Sequence, residues 1–144
     1  MDIRIVDQDD ENLHIVIHCR EIDNEVMRLK AHIELFDRKL RAKSDNEHYF
    51  VNLSEVLYFE SVEGRTFLYT RDDVMEIDRR LYELEDILSD KDFIRISKSL
   101  IVNINKIRSL KPELNRTILV TMSNGECLCI SRKYVKAVKN LLSI

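Results

Sequence analysis

The sequence predicts a mainly β, α+β fold: a run of short strands with short helices among them, preceded by a β-hairpin and an amphipathic helix. Three observations carry this. From residue 49 to 130 the apolar residues fall in short runs separated by polar turns, the pattern of strands. Helical spacing is confined to three segments, near 22–40, 77–88 and 134–142. The chain has 144 residues, 44% of them hydrophobic and 34% charged, which is room and composition for one ordinary domain or one small domain with an extension.

Residues 3–6 and 13–19 read as strands. In the second, Leu13, Ile15 and Ile17 alternate with His14, Val16 and His18, and Asp9, Asp10, Glu11 and Asn12 make the intervening turn of a hairpin. Ile22, Val26, Leu29, Ile33, Phe36 and Leu40 then recur at spacings of four and three, the seam of a helix over about 21–43. Val26 and Ile33 at one seam position, with Leu29 and Phe36 at the other, resemble a two-stranded parallel coiled coil. Glu25 with Lys30, and His32 with Asp37, have the separation for pairing between chains. A homodimer built on Val26, Leu29, Ile33, Phe36 and Leu40 follows; the stripe can equally pack on the chain's own two strands, and the two arrangements are compatible.

Ser44, Asp45, Asn46 and Glu47 form a polar connector, dividing the chain into 1–45 and 46–144. Strands are expected at 49–53, 56–61, 66–70 and 74–77, with Glu63 and Gly64 in a tight turn where glycine accepts positive φ. Ile77, Leu81, Leu84 and Leu88 mark a helix that Ser89 and Asp90 end. Further strands follow at 93–96, 100–104, 107–110, 117–122 and 126–130. Ser123, Asn124 and Gly125 join the last two, because Asn-Gly supplies the left-handed dihedrals of a two-residue hairpin turn. Pro112, Glu113, Leu114 and Asn115 make a weaker turn. Ser131 is an N-cap for a closing helix whose buried face is Tyr134, Val135, Val138, Leu141 and Leu142. Arg132, Lys136 and Lys139 make a basic stripe on its other face, with Lys133 beside it.

The net charge of −3 is unevenly spread. Residues 1–47 carry 8 basic and 12 acidic side chains, 48–92 carry 5 and 12, and 93–144 carry 10 and 2. The last segment either faces a polyanion, nucleic acid first among them, or pairs internally with the acidic middle. No apolar run reaches membrane-spanning length and the N-terminus lacks a signal-peptide core, so a soluble, cytoplasmic protein is expected. Cys19, Cys127 and Cys129 are an odd set without metal spacing and read as buried thiols; Cys127 and Cys129 would share one strand face. No phosphate-binding glycine loop, nucleophile elbow or zinc motif is present, so no enzyme, cofactor or metal is expected. His14 and His18 lie on a strand, facing solvent or a partner, and Asp72, Asp73, Glu83, Glu85 and Asp86 are solvated carboxylates.

The string Phe93-Ile94-Arg95-Ile96-Ser97-Lys98-Ser99-Leu100-Ile101-Val102-Asn103, followed by Ile107, Asn124-Gly125 and Ser131-Arg132-Lys133-Tyr134, resembles the LytTR DNA-binding domain of bacterial transcription regulators. Leu57-Tyr58-Phe59-Glu60-Ser61 matches that family's early strand, and the resemblance covers about 47–144. It implies an elongated, mostly antiparallel β domain that presents loops to successive major grooves of promoter DNA. The loops that match the family's DNA contacts offer Arg65 and Thr66, then Ser97, Lys98 and Ser99, then Arg132 and Lys133. Arg132 suits direct readout, since a guanidinium pairs bidentately with guanine; Lys98, Lys133 and Lys136 suit phosphate. Arg95 is expected as a structural ion-pair partner and Asn103 as a satisfier of backbone groups.

The first 45 residues depart from the commonest family architecture, since a phospho-acceptor receiver of roughly 120 residues cannot fit there. That departure leads to the expectation of a stand-alone regulator and puts control by aspartyl phosphorylation in question. A reading of a different class is a protein-interaction module controlled through its N-terminal region by a partner, such as the membrane-bound partners of some family members.

Overall fold

The computed structural model describes residues 1–9, 13–36, 38–88 and 92–144. In chain order it forms α1 (Asn24–Leu35), β1 (Lys39–Ser44), β2 (Glu47–Asn52), β3 (Tyr58–Val62), β4 (Arg65–Tyr69), β5 (Val74–Ile77), α2 (Leu81–Leu88), β6 (Phe93–Arg95), β7 (Leu100–Asn103), β8 (Ile107–Pro112), β9 (Ile118–Met122), β10 (Cys127–Ile130) and α3 (Arg132–Leu142). Single 3-10 turns lie at Leu53–Glu55 and Ile104–Lys106. Every strand pairing is antiparallel: a seven-stranded sheet in the order β2-β1-β5-β4-β3-β7-β6, and a three-stranded sheet in the order β10-β9-β8.

The run Leu100-Ile101-Val102 explains how the layers stack. A strand sends successive side chains to opposite faces, so a continuous apolar run needs cover on both sides. Ile101 joins a core with Phe59, Leu68, Phe93 and the inner faces of α2 and α1. Leu100 and Val102 join a second core with Tyr58, the small sheet (Ile118, Val120, Met122, Ile130) and Val138 of α3. Each such fully buried side chain contributes about 1.5–3 kcal/mol relative to exposure, so β3 and β7, which feed both cores, hold the layers together. Asn103, 1% exposed, donates from Nδ2 to the Val56 carbonyl (2.9 Å) and accepts from the Asn105 amide (3.1 Å), the backbone-satisfying role expected of it.

The N-terminal third differs from expectation. The described residues of 1–22 form no strand, and Ile3, Ile5, Val6, Leu13, Ile15 and Val16 are all exposed. Two strands alone are marginal in water without a third strand or a helix to cover them; residues 10–12 of the expected turn lie outside the described residues. The helix runs only from Asn24, capped by Asp23 Oδ1 accepting the Val26 amide at 2.9 Å, to Leu35. Leu40, expected on its seam, lies instead on β1, because 39–43 also alternates, with Leu40 and Ala42 inward and Lys39, Arg41 and Lys43 outward. At 12 residues α1 is under two heptads, too short for the coiled coil expected over 21–43. Its docked face is Ala31 and Leu35, held by Arg28 donating to Asn105 Oδ1 (3.3 Å) and by His32 Nδ1 at 3.1 Å from Asn105 Nδ2. Val26, Leu29 and Ile33 belong to neither core, and Phe36 is exposed. Asp37, expected to pair with His32, lies outside the described residues.

Other differences are local. Ser44 to Glu47, expected as a connector, is the turn of the β1–β2 hairpin, with Asp45 and Asn46 both at positive φ (49° and 66°). The second helix starts at Leu81, not Ile77, because Glu83 Oε1 reaches back to the Arg80 amide (3.1 Å) and caps it there. Ser89 and Asp90, expected to end it, lie outside the described residues. The hairpin at 123–125 is a three-residue loop in which only Gly125 (φ 90°) is left-handed, so Asn124 does not supply a second such dihedral. The three cysteines are exposed: Cys127 and Cys129 share a face of β10, as alternation requires, but β10 is an edge strand and turns that face to solvent. Among the described residues no helix is long and apolar enough to cross a membrane.

Candidate nucleic-acid interface

The segment between β6 and β7 is shaped by its own polar groups. Ile96 N–H donates to the Leu100 carbonyl (3.0 Å), and Ser97 Oγ accepts the Ser99 amide (3.2 Å), closing a tight loop over Ser97, Lys98 and Ser99. Arg95 lies beneath it. Its guanidinium donates to the Ser97 carbonyl (2.7 Å) and the Lys98 carbonyl (2.5 Å), and a third nitrogen meets Glu85 of α2 at 2.9 Å. The ion-pair role expected of Arg95 is therefore present, and it straps the loop's carbonyls down while Lys98 stands exposed at the tip.

Two backbone links join this loop to its neighbours. Ser131, the last residue before α3, donates to the Ile96 carbonyl from its amide (2.9 Å) and from its hydroxyl (3.2 Å). Ser61, near the end of β3, donates its amide to the Ser99 carbonyl (2.9 Å). The β3–β4 turn, the 97–99 loop and the start of α3 thus adjoin, with Arg132, Lys133 and Lys136 exposed on α3. The Ser131 hydroxyl is turned toward Ile96 and accepts no helix amide, so no side chain caps the first turn of α3, whose amides and dipole favour an anion.

The β3–β4 turn fits this edge less well than expected. Glu63 and Gly64, at φ 52° and 78°, make the tight turn as foreseen. Thr66, however, is 4% exposed and faces inward, so its expected DNA contact is corrected: alternation on β4 turns it away from solvent. Arg65 is exposed, but its guanidinium grips Glu76 of β5 through two bonds, at 3.0 and 2.5 Å, and lies 5.5 Å from the Phe67 ring centre. The pair holds the Glu76 carboxyl below the usual carboxylate range and pushes Arg65 further up, in both cases chiefly through their mutual hydrogen bonds.

The distribution of ion pairs bears on the expectation that the basic third pairs internally. Of the ten basic residues in 93–144, only Arg95 meets a carboxylate among the described residues. Among the described residues the surplus is not consumed by the acidic middle. Two cations escaped sequence reasoning: Arg116, which the β8–β9 loop brings opposite α3, and Arg80, whose guanidinium donates to the Gly64 carbonyl (3.4 Å). The charge count alone included Arg116, but nothing local links a loop at 113–117 to a helix at 132–142.

Known proteins resemble this chain in sequence and in fold. The family model of the LytTr DNA-binding domain matches residues 46–143. The chain is 32% identical over 133 residues to an uncharacterized HTH-type transcriptional regulator of Staphylococcus aureus (strain bovine RF122 / ET3-1), covering 91% of this chain and 90% of that protein. It is 26% identical over 125 residues to the sensory transduction protein LytT of Bacillus subtilis (strain 168), covering 87% of this chain and 52% of LytT. Among solved structures it is similar to the LytTr DNA-binding domain of a methyl-accepting/DNA response regulator from Bacillus cereus, with a TM-score of 0.70 and 29% identity over 74% of this chain and 97% of that one. A family match over two thirds of the chain, with a solved domain of that family sharing the fold, leads to one conclusion: the chain belongs to the LytTR DNA-binding domain family.

Proposed function

We propose that this protein is a transcriptional regulator that binds promoter DNA in a sequence-specific manner through the edge formed by the 97–99 loop and the start of α3, without catalysis. The observation that supports the reading is the Ser131–Ile96 junction, which ties the loop bearing Lys98 to the start of the helix bearing Arg132 and Lys133, three cations with no ion-pair partner among the described residues. Arg132 reads a base edge in the major groove, where its planar fork matches guanine O6 and N7. Lys98, Lys133 and Lys136 neutralise phosphates, joined by the uncapped first turn of α3 and by the hydroxyls of Ser97 and Ser99. Arg65 joins the contact by exchanging Glu76 for phosphate.

Two copies bind one site as a homodimer in the bacterial cytoplasm, paired along Val26, Leu29, Ile33 and Phe36, which this chain's own cores leave unused. That pairing fixes half-site spacing and adds effective concentration. A second reading, a module governed by a partner protein, is favoured by the exposed apolar residues of the N-terminal segment, Ile3, Ile5, Leu13 and Ile15 among them.

The test is duplex binding over a salt series, with DNA selected in vitro and with random sequence. Affinity falls steeply with salt, by about 0.9 in logarithmic slope per phosphate contact. Arg132→Ala loses the preference for selected DNA, by about 1–3 kcal/mol, whereas Lys136→Ala weakens both duplexes alike. Binding that ignores salt overturns the reading.

A further inference from the structure

The basic face of α3 extends beyond the edge just described. Arg132, Lys136 and Lys139, at i, i+4 and i+7, stack on one side of the helix. Across from them Arg116 projects from the β8–β9 loop, and the four cations line an open cleft of about 510 Å³ over the apolar side chains of Val135 and Ile144. Among the described residues no acidic side chain lines it and none of the four cations has an ion-pair partner.

Packing does not account for this cluster. The inner face of α3 already meets the second core through Val138, Tyr134, Val135 and Leu142. Four like charges around one cleft repel each other and oppose compaction. Arg116 also stands at φ 67°, a left-handed conformation that asparagine or glycine adopts with less strain. Residues kept in such positions against local preference often serve a site.

The lining also narrows the ligand. Among the described residues no aromatic ring lines the cleft to give bases a stacking platform, and an open cleft formed by side chains alone does not enclose a small anion. What fits is a chain of phosphates passing over the surface.

We propose that this cleft is a second phosphate clamp, which seats the DNA backbone on the flank of the site and brings Arg116 and Lys139 against phosphates that neither reading loop reaches. The proposal rests on the DNA-binding reading above and extends its footprint along α3. It makes flanking duplex, of any sequence, part of the affinity while leaving specificity to Arg132.

The test uses the full chain and the variants Arg116→Asn, which retains a residue at ease at positive φ, and Lys139→Gln, singly and together. Unfolding midpoints close to wild type establish that each is folded. Each single variant is expected to lose roughly five-fold in affinity at physiological salt and about 0.9 in salt slope, and the double variant about twice that slope, for selected and random DNA alike. Trimming the duplex on one flank costs the wild type a comparable factor and leaves the double variant unaffected.

If the wild type binds steeply with salt but the double variant matches it in slope and affinity, the clamp is overturned while the DNA-binding reading stands. If the double variant loses an affinity for inorganic phosphate or ATP with duplex binding unchanged, the cleft serves a small phosphate and the proposal is likewise overturned. If the wild type binds no duplex, both readings fall together.

Discussion

Ser131 donates twice to one oxygen, its amide at 2.9 Å and its hydroxyl at 3.2 Å from the Ile96 carbonyl. A serine at the N-cap position ordinarily turns its oxygen to the helix amides. Here that oxygen fastens the helix to a loop 35 residues away in sequence. The cost is an uncapped first turn; the gain is a fixed relation between Lys98 and Arg132. Ser131→Ala is expected to lower stability by only about 1 kcal/mol but to reduce discrimination between selected and random DNA more than affinity for random DNA. Thermal unfolding and paired binding titrations check it, and equal losses on both duplexes would count against a positioning role.

Arg95 holds the same loop from below. Arg95→Met removes donors from two carbonyls and a partner from Glu85, and is expected to cost about 1–3 kcal/mol. Glu85→Gln, which loosens only the more exposed arm, should cost no more than about 1 kcal/mol. Urea unfolding of the two variants, with DNA affinity measured alongside, separates the strap from the ion pair.

The grip of Glu76 on Arg65 competes with DNA. Glu76→Gln is expected to tighten binding to all duplexes and steepen the salt slope by about one contact, since a guanidinium is released and a negative charge removed. Anisotropy titrations over a salt series read this directly. A slope equal to wild type means that Arg65 is a strand-to-strand tie and no more.

The unused seam of α1 predicts assembly. Ile33→Glu and Phe36→Glu together are expected to convert a dimer to a monomer in sedimentation velocity, with unchanged circular dichroism, because neither residue belongs to the chain's own cores. A monomeric wild type at micromolar concentration removes the homodimer from the proposal.

Tyr58 and Tyr69 stack with ring centres 4.3 Å apart, and their hydroxyls donate to Glu126 and Glu60 respectively. Burial first, then the Glu60 carboxylate, pushes the Tyr69 phenol up to about 12; burial and Glu126 raise Tyr58 as well. Between the ordinary phenol value near 10 and 12, the unfolded chain sheds this proton while the folded chain keeps it. Stability is therefore full below 10 and declines as pH rises through that window. Phenolate absorbance, clean in a chain without tryptophan, should show Tyr69 titrating near 12 and Tyr69→Phe losing that step.

Much of the β half was legible because its signals are local. Leu100-Ile101-Val102 can only be a strand covered on both faces, Glu63-Gly64 can only turn tightly, and 74–77 forms a strand with the bounds that alternation indicates. Leu40 was misread because 36–43 satisfies two periods at once: Leu40 continues the helical spacing of Ile33 and Phe36, yet 39–43 also alternates. Pairing with Val51 across β2, which no window of sequence contains, selects the strand.

The sequence by itself determined where the positive charge lies along the chain and which segments could bend, pleat or coil, since both depend on neighbours within a few residues. Only the tertiary structure decided which cations are free. Glu76 claims Arg65 and Glu85 claims Arg95, β4 turns Thr66 inward, and a distant loop sets Arg116 across from Lys136 and Lys139. Those outcomes depend on which strands become neighbours, a matter of how two apolar faces bury one another, and that is settled between segments far apart in the chain.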